Sequence, residues 1–228
     1  MLGVIRAAFL ILCVFGGEAF ASSWTVVSKS SGITVQKQEV PGQSLPFIRG
    51  TILLGENIYD ILAVMQDFSR HVEWMHDCKE AERLANLDDW TTLVYSRTDA
   101  PWPVQDRDVV LKSVLKAYPR EKRVSIGFNA IPVLTKPPLK GVVRMESLSG
   151  GYELEYVHDK RTRVEFTIRA DPGGWLPGWV ATMVSSEIPF YTLRNLKDQV
   201  EKTRGLKEYK PFILKAKSIV TGEAGESG

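Results

Sequence analysis

Side chains that could do chemistry are few in this 228-residue chain, and their spacing argues against a reaction centre. Of three histidines, His71 and His76 fall close to Asp77 and Cys78. A separation of five residues turns two imidazoles to different faces of a helix. No second ligand pair occurs elsewhere, so a tetrahedral zinc site is not expected, and His71 reads as a surface residue. The chain contains no G-x-S-x-G elbow, no glycine-rich phosphate loop and no H-E-x-x-H helix. Arg107 and Asp108 stand side by side like a dyad. Neighbours on a strand point to opposite faces, so each is expected to make its own local contact. Arg97 and Asp99, with Tyr95, Tyr152 and Tyr156, are the remaining loose candidates for an ionisable constellation. Neither a cofactor nor a metal is implied.

The elements that must position these groups alternate like an antiparallel sheet. Within residues 107–117, Val109, Leu111, Ser113 and Leu115 share one face and Asp108, Lys112 and Lys116 the other. That is the period of a strand with one buried side. Val164, Phe166 and Ile168 oppose Arg163, Glu165, Thr167 and Arg169 in the same way. Tyr152, Leu154 and Tyr156 oppose Glu153 and Glu155, and Val124, Ile126 and Phe128 oppose Arg123 and Ser125. Val143 and Met145 oppose Arg144 and Glu146. Shorter strands are expected over 33–37, 47–54 and 90–98, with hairpin turns at Gly150-Gly151 and at 158–162.

A one-sided sheet needs a cover. Residues 57–75 carry Ile58, Ile61, Leu62, Met65 and Phe68 at helical spacing, with Asn57 as N-cap and Asp60 in the first turn. A second helix is expected from Pro177 to Lys202, kinked at Pro189 and stopped by Gly205. Residues 205–228 read as a flexible tail. The fold class is therefore α+β, with one domain over 22–204.

Residues 1–21 read as an export signal. Arg6 precedes an apolar run from Ala7 to Phe15, and Ala19-Phe20-Ala21 gives the small-x-small pattern cut before Ser22. The run is too short to span a bilayer. Leu12 before Cys13 argues against a lipid anchor. Cleavage would leave Cys78 as a lone cysteine, so no internal disulfide would support the exported fold. The expected location is extracytoplasmic, the periplasm in a Gram-negative host. At 44% hydrophobic residues, the chain can bury a core and is not disordered. Twenty-nine basic against twenty-seven acidic residues give no field for a polyanion, so no nucleic-acid partner is expected.

Four ordered motifs point to one family. Residues 101–108 read P-x-P-x-x-x-R-D, Val72-Glu73-Trp74 ends the first helical segment, Gly141 to Glu146 read G-V-V-R-M-E, and Gly174-Trp175-Leu176-Pro177 opens the second helix. Together they resemble START domains, the steroidogenic-acute-regulatory-protein-related lipid-transfer family, over roughly residues 24–204. The resemblance implies a helix-grip fold, a curved antiparallel sheet wrapped around a long C-terminal helix with an internal hydrophobic cavity. The residues at 131–140, with three prolines, fall where that family has the loop closing its tunnel. They read equally as a proline-stiffened connection.

In such an architecture the inward-facing residues become cavity walls. The expected ligand-binding set is Val94, Ser96, Val109, Leu111, Ser113, Phe128, Met145, Leu154, Phe166, Trp179 and Met183. Any one of them could instead simply fill a core. Some sterol-binding members of the family this chain resembles place an acid and an arginine, paired, inside the tunnel. Those positions fall here on Val94 and Ser113, so that route to a sterol hydroxyl is missing, and Ser96 and Ser113 are the small polar groups left to reach a ligand head. The resemblance implies a non-catalytic carrier of a lipid or other hydrophobic molecule, expected to be a monomer. Trp175 and Trp179 read either as anchors of the helix end, the favoured reading for Trp175, or as groups for transient membrane contact. The alternatives are a cyclase- or aromatase-like enzyme of the wider fold, which needs an Arg–acid or Tyr–acid pair in the cavity, and a ligand sensor.

Overall fold

The computed structural model of the chain describes residues 23–43, 45–132, 136–158, 160–174 and 178–221, with the backbone alone over 178–186. The expected export signal, Trp175, and the side chains of Trp179 and Met183 lie outside the described residues.

Ten strands form one sheet: β1 (Thr25–Ser30), β2 (Ile33–Gln38), β3 (Phe47–Leu54), β4 (Cys78–Asn86), β5 (Thr91–Thr98), β6 (Asp106–Tyr118), β7 (Arg123–Ala130), β8 (Val142–Arg144), β9 (Ser147–His158) and β10 (Arg161–Asp171). Their order is β1-β2-β3-β10-β9-β7-β6-β5-β4, antiparallel throughout, while the short β8 pairs in parallel with β6. The alternating segments read from the sequence coincide with strands, except that Met145 and Glu146 lie just past β8 and Trp90 just before β5. Gly150 and Gly151 are not a turn but the middle of β9, where a Cβ on Gly150 would stand 2.2 Å from the Thr167 carbonyl oxygen. The turn expected at 158–162 coincides with the connection from β9 to β10, which is shorter than expected, since His158 and Arg161 already pair with each other.

Helix α1 (Ile58–Gln66) ends at Asp67, and a 3-10 helix, Phe68–Glu73, continues the chain, so the expected single helix over 57–75 is two elements. Asn57 holds the N-cap position, but its side-chain amide donates to Asp60 instead of accepting a backbone N–H. Helix α2 (Gly178–Thr203) runs across β2, β3 and β10 with Pro189 inside it. The expected tail is corrected over most of its length. Residues 210–221 form helix α3 (Lys210–Thr221), which packs on α1 and buries Ala216 and Ile219, with Tyr209 just ahead of it. Burying that apolar stripe stabilises a segment whose composition alone reads as polar.

The core divides in two. The larger part joins α1, α2 and α3 to β2, β3, β9 and β10, around Ile61, Leu62, Leu154, Leu193 and Leu196. A smaller cluster of Val109, Met145 and Leu148 packs near the other end of the sheet. Phe128 and Ile168 touch both.

Candidate functional site

A cavity of about 550 Å³ lies where those two clusters meet, within the usual size range of small-molecule sites. Strand pleating builds its wall. On β6, Arg107, Val109, Leu111, Ser113 and Leu115 alternate onto one face, and on β5, Thr92, Val94, Ser96 and Thr98 do the same. The register sets Val94 opposite Leu111 and Ser96 opposite Val109. Tyr152 of β9 stacks on Phe166 of β10, their ring centres 4.5 Å apart, and Phe128 leans on both. Ile188 and Thr192 of α2 form the roof. Along β5 the lining runs from Thr92 to Thr98, a rise of ~20 Å, so the cavity is elongated. One end meets the turn at 88–90 and Lys215 of α3, the other Ala100, Pro101, Val104 and Pro172.

Val94, Ser96, Val109, Leu111, Ser113, Phe128, Met145 and Phe166 thus share one wall. Leu154 does not reach it. It has the facing of Tyr152 but lies two residues further along β9, fully buried in the larger core cluster with α1. The described residues of the 131–141 loop do not line the cavity either, whereas four residues of the loop between β5 and β6 do, Asp99, Ala100, Pro101 and Val104. In that loop Trp102 is 91% exposed.

His71 is corrected from surface to interior. It is 8% exposed and lines the cavity. Its Nε2–H donates to the Met65 carbonyl at 2.8 Å, and its ring stands between Phe68 at 4.9 Å and Trp74 at 5.1 Å. Burial pulls the imidazole down to about 4, so the ring is neutral at pH 7.

The charged pairs that an enzyme of this fold would need do exist, but on the other face of the sheet. Arg144 Nε and Nη2 donate to Asp108 Oδ1 and Oδ2 at 2.7 and 3.0 Å, and the Tyr95 hydroxyl donates to Oδ2 at 3.2 Å. Asp108 is fully buried there, and Lys136 covers the Tyr95 ring at 4.1 Å. None of these four side chains lines the cavity. Strand alternation explains the separation: Asp108 and Val110 point away from the cavity, Arg107 and Val109 toward it. The pair also ties two of the sequence motifs together, because β8 carries Arg144 alongside β6. Among the described residues no cluster of metal-ligand side chains occurs.

Sequence reasoning missed Arg107 and His71 as wall residues. For Arg107 the signal was present, since it shares strand parity with Val109 and Leu111. For His71 it was not, because only the tightening of the chain into a 3-10 helix stacks Phe68, His71 and Trp74 on one side.

Comparison with known proteins adds a family. The START domain model matches residues 19–203. A relative in Pseudomonas aeruginosa, itself uncharacterized, is 31% identical over 206 residues, covering 89% of this chain and all of that one. Human START domain-containing protein 10 is 25% identical over 201 residues, 83% of this chain and 67% of that one. Among solved structures, a fragment of a STAR-related lipid transfer protein from Xanthomonas axonopodis superposes with a TM-score of 0.70 at 29% identity. It covers 78% of this chain and 98% of that one. The human protein 10 structure gives 0.72 at 20% identity, covering 84% of this chain and 80% of that one, a likeness of fold alone.

Proposed function

Because the chain belongs to the START domain family, we propose that it is a non-catalytic carrier that binds one hydrophobic molecule, most simply a lipid, and moves it through an extracytoplasmic compartment. The observation that carries this reading is the elongated, mainly apolar cavity, walled by Val94, Val109, Leu111, Phe128, Met145 and Phe166. Each methylene buried there would contribute about 0.8 kcal/mol. The facing of Tyr95, Asp108 and Arg144 away from the cavity supports a carrier over an enzyme, since that charged constellation would not meet the bound molecule. The exposed Trp102, in the loop that borders one end of the cavity, gives the carrier a group suited to a membrane interface during loading. The motif at residues 1–21 supports export.

Native mass spectrometry of the protein purified from its host, followed by organic extraction, tests the proposal. The expected result is one bound amphiphile per chain. Its loss is expected in a Val94→Trp, Leu111→Trp variant that fills the cavity while keeping the fold by circular dichroism. A protein that arrives empty and takes up no fluorescent lipid overturns it.

A further inference from the structure

Arg107 is the one cavity-lining cation whose burial is nearly complete, at 6% exposed, and among the described residues it has no carboxylate partner. Every acid around it is engaged elsewhere. Asp106 accepts from Arg97 and Lys79, Asp108 from Arg144 and Tyr95, Asp99 from Lys79, and Asp171 from the Gly173 N–H. Residues 175–186 contain no Asp or Glu in their sequence. The guanidinium donates only to carbonyls, those of Gln105, Pro172 and Gly173. Three such bonds leave part of its five-donor fork free. The one carboxylate whose charge favours it, Asp106, acts only through space and is bonded to Arg97 and Lys79. A cation buried in this way is costly unless an anion joins it, and burial already pulls its pKa down. The cavity's middle holds neutral side chains, so no other group there competes for an anion.

We propose that Arg107 is the recognition group for an oxyanion, so that the cargo is an anionic amphiphile bearing a carboxylate or a phosphate. Its head lies at the end of the cavity bordered by Pro101, Val104 and Pro172, with its tail running toward Phe128 and Phe166. The guanidinium fork matches either oxyanion in a bidentate fashion. This inference rests on the carrier reading and names its ligand class.

The test uses the full mature chain and three probes with the same sixteen-carbon tail: hexadecanoate, hexadecyl phosphate and hexadecan-1-ol, measured by equilibrium dialysis near neutral pH. At least one anion is expected to bind roughly tenfold more tightly than the alcohol, a difference that Arg107→Gln abolishes and Arg107→Lys partly restores. Since Arg107 also holds two loops, the wild-type protein provides a second readout. The Arg107 Nε–Hε resonance is expected to shift with the anion that binds and to stay in place with the alcohol. Which anion wins distinguishes a fatty-acid head from a phospholipid-type head. Alcohol binding as tight as that of both anions, or tight anion binding that leaves the Arg107 resonance unmoved, overturns the assignment while the carrier reading stands. Failure of all three probes to bind overturns both.

Discussion

His71 makes the cavity's character measurable at a single residue. Its imidazole is held near 4 by burial, below the 6.5 of an exposed histidine. Above pH 6.5 both folded and unfolded chains carry it neutral, and its contribution to stability is complete. As the pH falls from 6.5 toward 4 only the unfolded chain takes up the proton, so stability is lost across that window and levels off below it. The unfolding free energy measured by urea titration at about pH 5 is expected to be about 2 kcal/mol lower than near neutral pH through this residue. His71→Gln should flatten that slope, and an unchanged slope would place the titrating group elsewhere. The same scale shows how far strand parity alone can be read. Parity assigns Arg107 to the cavity and Asp108 to the opposite face, but it cannot reveal that Arg144, thirty-six residues on, closes over Asp108.

At the scale of elements, the strands that escaped sequence analysis are β1 and β4, the two edges of the sheet. Neither has a fully buried face, so neither carries the alternation that betrays an inner strand. The glycines misread as a turn tell a related story. Gly150 and Gly151 sit inside β9 because β7 and β10 press against them, and a Cβ on Gly151 would meet the Ile126 carbonyl oxygen at 2.6 Å. In sequence, a glycine pair in mid-strand is indistinguishable from a turn. Gly50 on β3 marks where α2 meets the sheet. A Cβ there would lie 2.8 Å from Leu193 and 3.0 Å from Pro189. Gly50→Ala is expected to lift α2 from the sheet and cost about 1–3 kcal/mol in a denaturant titration. A loss much below 1 kcal/mol would show that the helix gives way freely.

For the molecule as a whole, α3 is the part that lies beyond the family match, which ends at residue 203. It nevertheless joins the main core through Tyr209, Ala216 and Ile219, and Lys215 borders one end of the cavity. Deleting residues 205–228 should therefore uncover α1 and lower stability by about 3 kcal/mol or more, on the scale of the large side chains exposed. A truncated chain as stable as the full one would mean that α3 contributes no net burial.

Local chemistry in the sequence was enough for the class of the fold, the inner strands, the helical regions and the strand-borne part of the cavity wall. Periodicity reports which face of an element is apolar, and the motifs report a family. Tertiary structure decided what that apolar face meets. Tyr152 and Leu154 have the same parity on the same strand, yet one borders open space and the other is packed under α1. Burial in a core and exposure to a cavity demand the same side chains, so the difference belongs to the spacing between sheet and helices. For the same reason only the folded chain shows Arg107 buried with carbonyls, and no carboxylate, as its hydrogen-bond acceptors, since pairing depends on which loops the fold brings together.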